Sequence, residues 1–225
     1  MTTHLLTYFG PFEGVPLNPS QAVAFGAQEA LAISAPHLTV EVHELPVEFA
    51  ESSRALGELL ERIKPELAIS LGVAAGRDKV SLERVAINLD SARIPDNAGA
   101  QLIDQPIRGD GPDAYFSTLP TRAIFEELSS QQLPVELSYT AGTFVCNHVF
   151  YELMHATKGA IPAGFIHIPL THVEAGGGAD AAPERPPVTA SADAGGVEGR
   201  SLPTLPESQV IGIIEQAVLT TLAQL

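Results

Sequence analysis

The sequence predicts an α/β fold, a single-domain α/β/α sandwich around a largely parallel central sheet. Three observations predict it. Between residues 4 and 172, short apolar stretches of strand character alternate with amphipathic helical stretches, the order that builds βα units. One stretch, 66–73, is almost continuously apolar, as a strand covered on both faces must be. No break in composition divides this region, and 225 residues with 45% hydrophobic content suffice for one substantial core.

Taken in order, His4 to Phe9 reads as the first strand, and Gly10 to Pro16, with two prolines and two glycines, as a loop. Asn18-Pro19-Ser20 predicts a helix start, with Asn18 as N-cap and Pro19 at the first helical position. That helix runs to about Ile33. Leu38, Val40 and Val42 alternate with more polar neighbours, giving a half-buried strand over 37–45. Phe49, Leu56, Leu59, Leu60 and Ile63 share one helical face within 47–63. After the buried strand at 66–73, residues 79–89 read as one strand or two short ones. The Pro-, Gly-, Asp- and Asn-rich stretch 90–111 reads as loop.

Residues 121–131 predict a helix and 135–140 a strand. The next helix spans 143–158, with Thr143 as N-cap and Gly159 just past its end. A strand follows at 164–170. Residues 174–200 are dominated by Ala, Gly, Pro and Asp without an apolar face, and read as a mobile insertion within the single domain 1–225. A final amphipathic helix occupies 206–225, with Val210, Ile214, Ala217, Val218 and Leu222 on one side.

Charge narrows the function classes. Twelve Lys and Arg against 27 Asp and Glu give a net charge of −15, which repels a phosphate backbone and argues against nucleic acid as a partner. The first residues lack the basic region of a secretory signal, and no apolar run approaches the roughly 18–20 residues of a membrane helix. With a single cysteine there is no internal disulfide. A soluble cytoplasmic protein, with no membrane partner, is the expectation.

That one cysteine, Cys146, stands where a strand-like stretch gives way to a helix. Amides at a helix N-terminus point outward and favour a thiolate over a thiol. Cys146 is therefore a candidate nucleophile, and it requires a histidine and a group to orient that histidine. Of seven histidines, His167 is best placed, near the carboxyl end of an apolar strand, where functional groups of open α/β sheets gather. His148 is two residues from Cys146 on the same helix and faces elsewhere. For the orienting carboxylate, spacing does not separate Glu83 from Asp90 or Asp96. The glycines of GVAAGR lack the following Lys-Ser/Thr of a phosphate-binding loop.

Five segments carry a more specific signal: LLTYFGPFEGVPLNPS, GVAAGRDKVSLERVAIN, RIPDNAG, AGTFVCNHVFY and GFIHIPLT. In these, and in their order, the chain resembles the pyroglutamyl peptidases I, or pyrrolidone-carboxylate peptidases. The resemblance implies a cysteine peptidase on a nucleoside-phosphorylase-like fold. It implies a triad of Cys146, His167 and Glu83, and removal of N-terminal pyroglutamate from peptides without metal or cofactor. It further implies Phe9 and Phe12 as walls for the pyroglutamyl ring, Arg93 near the oxyanion, and assembly as a homodimer or homotetramer; a neutral lactam also needs a few backbone hydrogen bonds, which the backbone around Val73 is placed to supply. Tyr8 and Tyr139 depart from the family pattern and are expected near the strand ends that approach the site, where they would narrow the pocket or shift the preferred leaving residue.

Overall fold

The structure is a computed structural model and describes residues 2–12, 15, 17–173 and 202–225. The expected insertion at 174–200 lies outside the described residues. The elements follow as β1 (Thr3–Phe9), α1 (Pro19–Ser34), β2 (Thr39–Leu45), α2 (Phe49–Ile63), β3 (Leu67–Val73), β4 (Val80–Glu83), β5 (Val85–Ile87) and β6 (Ala114–Phe116). Then come α3 (Thr121–Ser130), β7 (Val135–Ser138), α4 (Val145–Thr157), β8 (Ala163–Ile168), β9 (Leu170–His172), β10 (Thr204–Pro206) and α5 (Glu207–Leu222).

Six strands form the central sheet in the order β2-β1-β3-β8-β4-β7. Every pairing is parallel except β4 with β8, where Ser81 opposes His167 and Leu82 opposes Ile166 in antiparallel register. Only six residues separate β3 from β4, too few for the crossover that a further parallel strand needs, so β4 returns beside β8 in the opposite sense. Both faces of the sheet are covered, as the apolar run of β3 requires. Leu6, Ile69, Leu71, Leu82 and Ile166 pack with α1, α3 and α5, whereas Leu5, Phe9, Ala68 and Phe165 pack with α2 and α4. The period-two alternation of β1 thus divides its side chains between two cores.

Local chemistry explains how the site-bearing segments are held. Asn18 caps α1, its Oδ1 accepting from the Ser20 amide at 3.1 Å while its Nδ2 donates to the Gly10 carbonyl at 3.0 Å. The Ser20 hydroxyl accepts from the Phe9 amide at 3.3 Å, so the turn after β1 is tied to the start of α1. The α2 helix has no side-chain cap of its own; the carboxylate of Asp96 supplies one from a distance, accepting from the Phe49 amide at 2.9 Å.

Two expectations are corrected. Thr143 is not the N-cap of α4: Phe144 holds that position without a side-chain cap, and the Thr143 hydroxyl donates instead to the Ser91 carbonyl at 2.7 Å. The helix ends as expected, with Lys158 and Gly159 both at positive φ. The strand expected at 164–170 is two pieces, β8 and β9, and β6 and β10 are further short strands that the sequence pattern did not mark.

Candidate active site

A cavity of about 570 Å³ opens where the carboxyl ends of β1, β3 and β8 meet the start of α4. Cys146, His167, Phe9, Phe12, Val73 and Arg93 all line it. Glu83 stands behind it, fully buried. Segments far apart in the chain therefore bring all seven expected site residues to one place.

Cys146 is the second residue of α4, so its amide is among those of the first turn that point out of the helix rather than at a carbonyl within it. Its Sγ lies over Gly72 on β3: a Cβ placed there would come within 3.1 Å of the sulfur and 2.7 Å of the Phe165 ring. Gly72 is the ladder partner of His167, so the thiol rests against the strand next to the one that carries the imidazole. Bare backbone at residue 72 is what lets the thiol settle so close to the histidine's strand.

His167 is 4% exposed, and its Nδ1 lies 2.8 Å from Glu83 Oε1. A carboxylate only accepts, so Nδ1 carries the proton and Nε2 is left as the acceptor side of the ring. The Phe165 ring packs beneath the imidazole with centroids 4.8 Å apart. Burial pushes the Glu83 carboxyl up, but the hydrogen bond and charge of His167, helped by the Arg77 guanidinium, outweigh it and hold the group below the usual carboxylate value. Glu83 is thus an ionised carboxylate inside the protein, aimed at a histidine.

The other two carboxylates are engaged elsewhere. Asp90 pairs with His148, its Oδ2 2.7 Å from Nδ1, and His148 faces α2 rather than the cavity. Besides capping α2, Asp96 closes its own turn by accepting from the amides of Ala98 at 3.0 Å and Ala100 at 2.8 Å. Asn97 donates to the Pro11 carbonyl at 3.0 Å, so the RIPDNAG segment braces the loop that carries Phe12.

Phe9, Phe12, Val47, Val73, Ile94 and Phe144 give the cavity an apolar lining. Among the described residues its charged side chains are Arg77 and Arg93, and no carboxylate lines it. The amide of Ala74, next to Val73, is committed to the Ile168 carbonyl at 2.9 Å. Tyr8 and Tyr139 do not narrow the cavity. Tyr8 sits on the opposite face of the sheet against Phe25, with Gln21 donating to its hydroxyl, and Tyr139 is 61% exposed beside the Arg84 guanidinium. A strand alternates its faces, so Phe9 reaches the cavity and its neighbour Tyr8 turns away.

Sequence reasoning named Asn18 only as a helix cap, not as part of the site, and missed Gly72, Arg77, Phe144 and Phe165. One signal was available: a glutamate destined for a strand interior needs a cation, and Arg77 is six residues upstream. Among the described residues, no three His, Cys, Asp or Glu gather as a metal site, and no helix is long and apolar enough to cross a membrane.

Comparison with known proteins places the chain in a family. The pyroglutamyl peptidase family model matches residues 2–190. The pyrrolidone-carboxylate peptidase of Cupriavidus taiwanensis is 49% identical over 174 residues, covering 75% of this chain and 79% of that protein. That of Streptomyces coelicolor is 46% identical over 193 residues, covering 84% of this chain and 87% of its own length. Among solved structures, pyroglutamyl peptidase I of Bacillus amyloliquefaciens superposes with a TM-score of 0.82 at 35% identity, covering 99% of this chain and 98% of that one. A mutant pyrrolidone carboxyl peptidase from Pyrococcus furiosus gives 0.84 at 32% identity, with full coverage of both chains. The chain belongs to the pyroglutamyl peptidase family.

Proposed function

We propose that this protein removes the N-terminal pyroglutamyl residue from peptides, with Cys146 as nucleophile, His167 as general base and acid, and Glu83 as the group that orients the histidine. The observation that carries this reading is the cavity itself: a thiol at a helix N-terminus and a carboxylate-backed imidazole open into an apolar chamber. A pyroglutamyl ring is small, flat and neutral and has no α-ammonium. Such a ligand suits a chamber whose described lining has aromatic walls and no carboxylate, whereas a free amino terminus would call for an acidic partner.

In this mechanism His167 Nε2 takes the thiol proton and the thiolate attacks the pyroglutamyl carbonyl carbon. The amide of Cys146 and the Arg93 side chain stabilise the tetrahedral oxyanion. The imidazolium then protonates the leaving amine, and water hydrolyses the thioester with the histidine again as base. Glu83 keeps the proton on Nδ1 and stabilises the imidazolium. Phe9 and Phe12 flank the ring, and backbone near Val73 bonds the lactam. No metal or cofactor enters any step. The same reading includes a cytoplasmic homodimer or homotetramer that binds neither nucleic acid nor membrane.

Alkylation tests the assignment. Iodoacetamide should modify Cys146 rapidly, and a non-hydrolysable pyroglutamate analogue should slow that reaction. Equal rates with and without the analogue would place the thiol outside the ligand cavity and refute the reading.

A further inference from the structure

Arg77 lies in the turn between β3 and β4, a turn closed by its own amide donating to the Ala74 carbonyl at 3.1 Å with Gly76 at φ +100°. Its guanidinium makes three contacts at once. Nη1 donates to Glu83 Oε1 at 2.8 Å and reaches the Ser138 hydroxyl at 3.4 Å, and Nη2 donates to the Thr140 carbonyl at 3.1 Å. The Glu83 oxygen that Arg77 binds is the same one that His167 binds, also at 2.8 Å. Thr140 belongs to the segment that leads from β7 into α4, six residues before Cys146. One side chain therefore joins the carboxylate behind the histidine to the backbone that delivers the thiol.

We propose that Arg77 is a positioning residue for the reaction: it holds Glu83 as a carboxylate behind His167 and fixes the segment that sets Cys146 opposite that histidine. The proposal rests on the assignment of Cys146, His167 and Glu83 above. The guanidinium and the imidazole bind one and the same oxygen of Glu83, so both draw on the charge of that carboxylate. A lysine would supply the charge without the planar fork that reaches Glu83 and Thr140 together. The titratable and charged groups of the cluster are Cys146 on α4, His167 on β8, Glu83 on β4 and Arg77 in the turn, with Arg93 from the 90–111 segment lining the same cavity. The Ser138 hydroxyl and Thr140 carbonyl follow from β7, whose Glu136 lies further along and accepts from Ser81 at 2.7 Å.

The test compares full-length wild type, Arg77→Met and Arg77→Lys on a pyroglutamyl-arylamide across pH. Removing a fixed cation stabilises the protonated form of each neighbouring group, so both limbs of the kcat/KM profile of Arg77→Met move to higher pH. Its kcat falls about 100-fold, the scale expected when reacting groups are misplaced by an ångström, and KM changes less. Arg77→Lys keeps the limbs in place and loses about tenfold in kcat with the fork. Unmoved limbs in a folded Arg77→Met, or wild-type kcat in Arg77→Lys, would overturn the proposal; the lysine variant decides alone if the methionine variant does not fold. Loss of wild-type turnover in Cys146→Ala, run alongside, separates a failure of Arg77's role from a failure of the site.

Discussion

Two fully enclosed side chains on neighbouring strands, Glu83 and Phe165, shape what His167 can do, and a third position acts by having no side chain at all. The thiol of Cys146 and the Phe165 ring both occupy the space a Cβ at Gly72 would need. Gly72→Ala should displace the sulfur, the ring or both, costing about 1–3 kcal/mol in stability and, through misplacement of the thiol, on the order of 100-fold in kcat. Urea midpoints and steady-state kinetics would show this; wild-type kcat in that variant would mean the thiol does not rest on β3. At the far end of β1, His4 is 2% exposed, with neither ring nitrogen hydrogen-bonded among the described residues. Burial lowers its pKa below the ordinary 6.5, with Glu66 pulling the other way. The unfolded chain therefore takes that proton first as pH falls. Its stability contribution is complete above 6.5 and is lost below it, by up to about 1.4 kcal/mol per pH unit until the folded value is passed. His4→Leu should lose less stability than wild type between about pH 7 and about pH 5 in urea unfolding; parallel losses would contradict the account. Neither residue announces its role in sequence. Glycine after an apolar strand looks like a turn signal, and a histidine between threonine and leucine carries no mark of burial.

At the level of elements, α2 and α4 are joined by polar groups inside their packing. His148 Nε2 lies 2.6 Å from the Ser53 hydroxyl on α2, while Nδ1 is held by Asp90 at the start of the 90–111 loop. The Phe49 ring meets His148 edge-on at 5.4 Å and meets Phe144 in the same way. This serine, histidine and aspartate line clasps two helices and the segment leading to Arg93. Removing its centre leaves Asp90 buried without its partner, so His148→Ala should destabilise the protein by about 2–3 kcal/mol. An unchanged urea midpoint would refute the clasp. Start and stop signals for α1 and α4, and apolar periodicity for α2 and α5, marked these helices in the sequence. Residues 90–111 read only as loop, since what orders that stretch is long-range: Asp90 bridges Gln105, Ser91 pairs with Thr143, and Asp96 caps α2. The reversed direction of β4 was likewise invisible, because burial on both faces looks the same in either sense.

For the molecule as a whole, two cores on opposite faces of one sheet leave the strand ends of β1, β3 and β8 as the place where chemistry can open to solvent. Cysteine at a helix start and histidine at a strand end were legible from general principles. The choice among Glu83, Asp90 and Asp96 was not, because spacing along the chain says nothing of which strand lies beside β8; the resemblance named Glu83, and the antiparallel β4–β8 pairing puts it against His167. Tyr8 and Tyr139 do stand near strand ends but do not line the cavity, since closeness in sequence to Phe9 and to the cysteine segment does not fix the face a side chain takes. The central claim is that Cys146 cleaves pyroglutamyl amides in this cavity. It is tested most directly by release of a fluorophore from a pyroglutamyl-arylamide, with a prolyl-arylamide as control, by reduced wild type and Cys146→Ala. The account predicts cleavage of the pyroglutamyl compound alone, abolished in the variant; turnover surviving in Cys146→Ala, or equal cleavage of the prolyl compound, would contradict it.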